Sequence, residues 1–308
     1  MAASCAQGAM SRLYVEPGAA PHTFDSSSES YEFLYETLQK HGRIVGGSAI
    51  RGTRSSASER TRAGAYQVGG RIAMNVDAAS LDLWLPRILG GTESADSFPL
   101  AESLPAFGVL VNRVTQTFEY KDCVVARAMF HGKAGPGEGD PDLLELVMDI
   151  VAKDRVLGTS APSVVLSTAA NASPYVHSDA VFTFNAAARQ VKEWWVIIDN
   201  HIHTRWTNSL TAVLFCPADR TIAVRARLPY DTDTSNLLDQ ATAGATGTIA
   251  ITNAAATGLT TTFAFATLQV PAEDPIVRGK TEVDLFLNMI ARTVTTTKEL
   301  VVTSDSVA

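Results

Sequence analysis

Alternation of apolar and polar residues with a period of two is the feature that most restricts the fold of this chain. In DLLELVMDIVAKD, residues 142–154, the apolar residues at every second position from Leu144 to Ile150 share one face of an extended strand. The charged residues between them share the other face, as they do in EVDLFLNMIART, residues 282–293. This pattern is typical of half-buried β-strands. The chain is therefore predicted to be mainly β.

Helical signals are few. SLDLWLPRILGG, residues 80–91, has apolar residues spaced for one helical face, Ser80 as the expected N-cap, and Gly90 and Gly91 at the expected end. Pro86 lies inside this segment and is expected to kink or shorten the helix. Residues 30–42 fit both helical spacing and strand alternation. We leave the structure of that segment open.

A weak internal repeat gives the domain organisation. Five pairs of segments recur in the same order: AIRGTR (49–54) and HIHTRW (201–206), GGRIAMNVD (69–77) and DRTIAVRAR (219–227), SLDLWL (80–85) and SNLLDQ (235–240), FGVLVN (107–112) and GTIAITN (247–253), LLELVMDI (143–150) and EVDLFLNMI (282–290). The repeat predicts two tandem β-sandwich or barrel domains, 1–157 and 158–308, each with a short flanking α-helix and long loops. An N-terminal arm precedes the first unit, a C-terminal strand ends the second, and the boundary falls where Gly, Ser, Ala and Pro cluster.

Composition excludes several classes of protein. A chain of 308 residues with 46% hydrophobic and 19% charged residues is expected to fold, with a core in each domain. Its apolar runs are far shorter than the roughly 20 residues of a membrane span, so we expect no membrane partner and no secretory signal. Three cysteines, widely separated, argue against a disulfide framework and against a zinc site.

Arginine is concentrated in one window of an acidic chain. Residues 43–71 contain six arginines, no lysine and one acid, which gives +5, whereas the whole chain carries −7 and the remainder therefore −12. A nucleic-acid patch and a structural role are the two interpretations. The acidic remainder disfavours general nucleic-acid coating, whereas arginine pairs bidentately with carboxylates and stacks on aromatic rings.

No active site is predicted. The chain lacks a G-x-S-x-G nucleophile turn, a phosphate-binding loop and a dinucleotide fingerprint. DNHIH, residues 199–203, is the best metal candidate, because an H-x-H pair on a strand projects both imidazoles to one face. A third ligand is not supplied nearby, and a surface or interface histidine pair is the preferred interpretation. We therefore expect neither an enzyme nor a cofactor.

Tryptophan supplies a possible interaction surface. Trp194 and Trp195 are adjacent on a predicted strand and must point to opposite faces, one of them into the core. The second ring, together with Trp206 in the following loop, could mark an interface, since tryptophan and arginine are enriched at interaction hot spots. A ring at the rim of the core is the alternative.

Two long segments carry a resemblance to a family of bacteriophage tail tube proteins. Residues 193–240, EWWVIIDNHIHTRWTNSLTAVLFCPADRTIAVRARLPYDTDTSNLLDQ, resemble the family's aromatic strand, its IDN followed by an Arg- and Asn-containing loop, its P-x-x-R strand entry and its short helix. Residues 48–90, with RGTRS, SERTR and LPRILG, resemble the family's opening domain. The second copy departs from the first in lacking the dense arginines.

The resemblance implies a structural virion protein of the tail, assembled in the host bacterial cytoplasm. Its rings would stack into a hollow tube through which DNA passes without specific binding, and three copies with two units each would complete a pseudo-hexamer, with six-chain rings as the alternative. Implied partners are the protein itself, a tape-measure protein, a tail terminator and tail-tip or baseplate proteins. The implied contacts between rings or subunits are made by Arg43, Arg51, Arg54, Glu59, Arg60, Arg62, His203, Arg205 and Trp206.

Three other functions remain open at this point. The tube component of a type VI secretion-like injection machine would share the fold. A carbohydrate-binding β-sandwich of the virion would show clustered exposed aromatic residues beside Asp and Asn. Nucleic-acid binding through the arginine loop would show strongly salt-dependent affinity.

Overall fold

The computed structural model describes residues 8–25, 28–46, 58–135, 142–162, 173–231, 234, 237, 244–253, 259–271, 274–277, 280, 282–295 and 297–305. The chain is mainly β, as predicted. The strands of the first half are β1 (Arg12–Pro17), β2 (Glu29–Tyr31), β3 (Tyr35–Glu36), β4 (Gln39–Gly46), β5 (Thr61–Asn75), β6 (Ser97–Pro99), β7 (Phe107–Asn112), β8 (Thr117–Lys133), β9 (Glu145–Ala152) and β10 (Asp154–Leu157).

The strands of the second half are β11 (Ala180–Phe184), β12 (Ala187–Arg189), β13 (Glu193–Asp199), β14 (His203–Arg205), β15 (Leu214–Cys216), β16 (Thr221–Pro229), β17 (Ala245–Thr252), β18 (Thr260–Gln269), β19 (Asp284–Arg292) and β20 (Leu300–Ser304). One α-helix is described, α1 (Ala78–Leu89), with 3₁₀ turns at Gly8–Met10, Ser58–Arg60 and His177–Asp179. The described strands do not close into a barrel, and no helix in these ranges is long and apolar enough to cross a membrane.

Residues 30–42, which fit both a helix and a strand by sequence, are extended. β3 and β4, which begin within them, both pair antiparallel with β5. Helix α1 starts earlier than predicted. Its N-cap is Asp77, not Ser80: the Ser80 amide donates to Asp77 Oδ1 at 2.8 Å while the Asp77 amide donates to Ser80 Oγ at 3.2 Å, so Ser80 completes a reciprocal capping box. Pro86 does not shorten the helix, which ends at Gly90 in the left-handed conformation.

Strand pairing in the first half recurs in the second. β1, β7, β8, β9 and β5 follow one another as hydrogen-bonded neighbours, and β11, β17, β18, β19 and β16 do the same. β10 pairs with β8 as β20 pairs with β18. Ile72 lies opposite Met148, and Val224 lies opposite Met289. The sequence repeat aligns Ile72 with Ile222, and both residues are buried, in β5 and in β16.

The two halves form one hydrogen-bonded network. The C-terminal part of β8 pairs with β13, from Arg127 opposite Asp199 to Lys133 opposite Glu193, and β6 pairs with β20. Buried residues of both halves belong to a single apolar cluster. Division of the chain into domains 1–157 and 158–308 stays a prediction. Of the short helix predicted at 235–240, all but Leu237 lies outside the described residues.

Candidate functional site

The described residues of the arginine-rich window belong to the first hairpin, except Gly70 and Arg71. We define this hairpin as β4, the 3₁₀ turn Ser58–Arg60 and residues 61–69 of β5. Arg43 lies opposite Gly64, and Arg62 lies opposite Val45. Glu59 and Arg60 belong to the 3₁₀ turn before β5, and all four of these charged side chains are exposed. Arg51 and Arg54 lie outside the described residues. The described parts of the window, residues 43–46 and 58–71, are therefore part of the fold.

Exposed cations and exposed apolar side chains lie close together on this hairpin. Within the described chain, Arg43, Arg60 and Arg62 form no salt bridge. Ile44 is 80% exposed and Val45 is 46% exposed. Unpaired guanidinium groups beside apolar side chains are typical of a surface that binds another protein, because both are enriched where partners meet.

Arg71 differs from the other described arginines of the window. Its Nε lies 2.7 Å from Asp149 Oδ1 and its Nη2 lies 3.3 Å from Asp149 Oδ2. The hydrogen bond to Asp149 raises the pKa of Arg71. Arg71 therefore joins β5 to β9 inside the chain, and it is not available to a partner in the way Arg60 and Arg62 are.

The second hairpin, which we define as β14, β15 and the residues between them, carries the other predicted site residues. His203 lies opposite Cys216 and Arg205 lies opposite Leu214, with both the histidine and the arginine exposed. Trp206 is half-buried, and its indole Nε1 has no hydrogen-bond partner among the described residues. The predicted site residues that the structure describes thus fall on two hairpins, one from each half.

The second hairpin packs against the base of the first. The Tyr66 amide donates to the Leu210 carbonyl at 3.0 Å. A cavity of about 580 Å³ lies between the two hairpins. Its lining includes Tyr35, His41, Arg71, Asp149, Trp206 and Phe215.

Tyr66 was not identified by the sequence analysis. Its hydroxyl donates to Asp154 Oδ1 at 2.6 Å, and Lys40 Nζ lies 3.4 Å from the centre of its ring. Burial, followed by the hydrogen bond to Asp154, raises the pKa of Tyr66 to about 12. These contacts hold the base of the first hairpin against β10. No motif pointed to them, because Tyr66 and Asp154 come from segments far apart in the chain.

The H-x-H metal hypothesis fails on geometry. β13 ends at Asp199 and β14 begins at His203, so the two histidines do not share a regular strand. His201 has a left-handed φ of 42° between them, and its Nδ1 lies 2.7 Å from the Asp219 carbonyl. Among the residues that the structure describes, no group of three or more His, Cys, Asp or Glu side chains could hold a metal ion.

Asn200, in the IDN motif, joins three parts of the fold. It is 1% exposed. Its Nδ2 donates to the carbonyls of Ile88 and Val125, both at 3.1 Å, and its Oδ1 accepts from Arg220 Nε at 3.3 Å. The IDN motif was recognised by resemblance. In the structure Asn200 donates hydrogen bonds to a backbone carbonyl near the end of α1 and to another in the middle of β8.

Trp194 and Trp195 point to opposite faces, as predicted. Trp194 is 1% exposed in the core. Trp195 is half-buried and stacks on His131, with ring centroids 5.1 Å apart and an interplanar angle of 6°. Trp195 is therefore held within the chain on the other face of the sheet.

Most of the residues described above lie in the part of the chain that matches a known protein family. A family model described as phage tail tube protein matches residues 43–295, well over half of the 308 residues. The match includes the first hairpin from Arg43 onwards, all of the second hairpin, α1, and both strands of the β8–β13 pair. No curated protein gave a significant match.

Proposed function

The chain belongs to the phage tail tube protein family, and from that premise we propose that it polymerises as stacked rings into the hollow tube through which the genome reaches the host. It is a structural protein of the virion tail. The family assignment explains why exposed hairpins, and not a pocket with catalytic side chains, are the prominent surface features.

The observation that carries the proposal is the repeated strand pairing. Each chain holds two units with the same order of strands, and the units are joined edge to edge where β8 meets β13. We propose that the units are domains 1–157 and 158–308. Three chains would then supply six units to a closed ring with three-fold symmetry, and a ring of six chains is the alternative.

We propose that the two hairpins make the contacts between stacked rings. The first hairpin presents Arg43, Arg60 and Arg62 beside exposed Ile44, and Arg51, Arg54 and Glu59 belong to the same window. The second hairpin presents His203, Arg205 and Trp206. Because the two hairpins differ in charge, the two units make unequal contacts with the neighbouring ring.

The distribution of charge along the chain is consistent with passage of DNA through the tube without specific binding. The chain outside the arginine window sums to −12. Two arginines on the sheet are paired with carboxylates: Arg71 with Asp149 and Arg227 with Asp284. Paired guanidinium groups attract phosphate less than free ones, because the nearby carboxylate cancels their charge.

A tube of defined length requires further partners that set its length and close its ends. We propose that a tape-measure protein sets the length, that a terminator and a tail-tip or baseplate protein cap the two ends, and that assembly takes place in the cytoplasm of the host bacterium.

Electron microscopy tests the proposal. The purified protein is concentrated, stained and imaged with class averages, and the mass of isolated rings is measured. Rings or tubes with six-fold or pseudo-six-fold symmetry are expected. If neither rings nor tubes form at high concentration, or if virions of the source carry no tail, the proposal is wrong. Binding of the monomer to a glycan array would instead favour a carbohydrate-binding protein. Tubes found outside virions would favour the tube of a secretion-like machine.

A further inference from the structure

We propose that residues 18–25, which we call the strap, are an acid-sensitive element of the fold. The strap lies docked on β7 and β8 while His22 is neutral, and protonation of His22 releases it. In the chain the strap lies between β1 and β2, and it belongs to no strand of the described sheet. The inference goes beyond the proposed function and does not depend on the formation of a tube.

The strap presents one side to the sheet. Ala20, His22 and Phe24 are half-buried, whereas Pro21 and Thr23 between them are exposed. The rings of His22 and Phe24 lie with their centroids 6.2 Å apart and are tilted by 51°. The strap is therefore docked through alternate side chains, with His22 at its centre.

The His22 ring rests on the backbone of β7. A Cβ placed on Gly108 would lie 2.6 Å from His22 Cγ and 2.8 Å from its Nδ1, which is closer than real Cβ atoms approach. Any side chain at position 108 would push the ring away from the strand. Because Gly108 lacks one, the imidazole comes into direct contact with the main chain.

Both ring nitrogens of His22 are enclosed without a partner. Neither is accessible to solvent, and neither has a hydrogen-bond partner among the residues that the structure describes. A neutral imidazole leaves one donor and one acceptor unsatisfied there, whereas an imidazolium would leave two donors and a charge. Burial of an unpaired charge costs more than burial of a neutral polar group. Docking therefore favours the neutral ring.

Charged groups near the ring come from the strands beneath it and from the strap. They are Glu16 of β1, Glu119, Lys121 and Asp122 of β8, and Asp25 of the strap itself, whereas β7 has no charged residue. The carboxylates of β1 and β8 favour a protonated ring, and the lysine opposes it. Burial outweighs these carboxylates, so the pKa of His22 is lowered from its ordinary value of 6.5.

The direction of the pH dependence follows from this lowered pKa. A released His22 is solvated and takes up a proton near pH 6.5, whereas a docked His22 does so only at lower pH. The docked state therefore binds fewer protons than the released state. Docking is fully stabilised above pH 6.5 and weakens as the pH falls below that value.

Asp122 holds the strap beside the ring. The Ala20 amide donates to Asp122 Oδ1 at 2.7 Å. Asp122 has a left-handed φ of 48° and lies in a bulge of β8 opposite Gly108, since Phe107 and Val109 flank the register shift. The Ala20 amide loses this acceptor when the strap leaves the sheet, so its exchange with solvent reports on docking.

Hydrogen exchange tests the proposal. The full chain is kept dilute enough to remain unassembled, and exchange of peptides is measured by mass spectrometry at about pH 7.5 and about pH 5.5, corrected for the intrinsic dependence of exchange on pH. Ordinary histidines titrate in this range, while ordinary carboxyl groups remain largely ionised. Residues 18–25 should exchange several-fold faster at the lower pH, with residues 107–112 of β7 unchanged.

His22→Phe and His22→Gln separate the titrating group from the packing. The first keeps a ring against Gly108 and the second supplies a smaller neutral side chain, so at least one of them is expected to fold. In a folded variant the corrected exchange of the strap should no longer change with pH. His41→Gln, at an exposed position, is the matched control and should keep the full acceleration.

Three results would overturn the proposal. The first is exchange of the strap that is unchanged or slower at the lower pH, which would mean that the protonated ring stays docked. The second is acceleration that persists in a folded His22 variant. The third is equal acceleration of residues 107–112, because the acid response would then be a general opening of the sheet and not release of the strap.

Discussion

The amide of Tyr66 donates a hydrogen bond of 3.0 Å to the carbonyl of Leu210, and this bond attaches the second hairpin to the base of the first. It shows, within one chain, how a hairpin of one unit rests on the sheet of the next. In the first hairpin the exposed Arg43, Arg60 and Arg62 form no salt bridge within the described chain. We expect this part of the first hairpin to rest on a second copy of the chain.

Charge reversal in the first hairpin tests its role in stacking. Arg60→Glu/Arg62→Glu should leave a folded, soluble protein that does not polymerise, because both guanidinium groups are exposed and form no salt bridge in the described chain. Arg51→Glu and Arg54→Glu extend the same test. Circular dichroism measures folding, and sedimentation with electron microscopy measures assembly.

Lys280→Glu/Lys298→Glu is the matched control, since it changes the net charge equally at exposed positions outside the hairpin. Assembly should persist in this control. If the arginine variant instead loses its fold, the arginines serve intrachain structure and the stacking role is wrong.

Asn200→Ala should destabilise the monomer by about 1–3 kcal/mol, because it leaves the buried carbonyls of Ile88 and Val125 without their donor. Urea denaturation measures the free energy of unfolding. Asn208→Ala, at an exposed position of the second hairpin, should change that energy by no more than about 0.5 kcal/mol. Equal effects of the two substitutions would show that Asn200 does not join α1 to β8.

Sequence reasoning succeeded where one face of a strand is buried, as in residues 142–154, because burial imposes the period of two. It failed where the backbone conformation of one or two residues determines where a strand or helix begins or ends. His201 adopts a left-handed φ that breaks the H-x-H strand, and Asp77, not Ser80, caps α1. Contacts such as Glu36 with Arg113, 77 positions apart, carry no local signal, since the pairing of the sheets brings them together.

Alkaline pH should reveal the Tyr66–Asp154 hydrogen bond. In the folded chain Tyr66 keeps its proton to a pKa of about 12, against 10.0 for an ordinary tyrosine. The stabilisation is therefore fully present below pH 10.0 and is lost as the pH rises through about 12. Tyr66→Phe should be less stable than the parent by about 0.5–1.5 kcal/mol at neutral pH, and the gap should close over that window.

Denaturation curves across the window measure this gap. Tyr230→Phe, at an exposed tyrosine, is the control and should show no closing gap. A Tyr66→Phe gap that is independent of pH would mean that the hydroxyl contributes through packing and not through its retained proton.

Arg113→Lys should lower the free energy of unfolding by about 0.5–1.5 kcal/mol. Lysine keeps the positive charge near Glu36, but it cannot make the paired bonds that Arg113 forms with both oxygens of Glu36 at 2.8 and 2.9 Å while it also binds the Leu38 carbonyl. Urea denaturation measures this loss. Lys40→Arg, which keeps a cation beside the Tyr66 ring and Asp154, is the control and should change the free energy by no more than about 0.5 kcal/mol. Equal effects of the two substitutions would show that the paired bonds between Arg113 and Glu36 do not stabilise the fold.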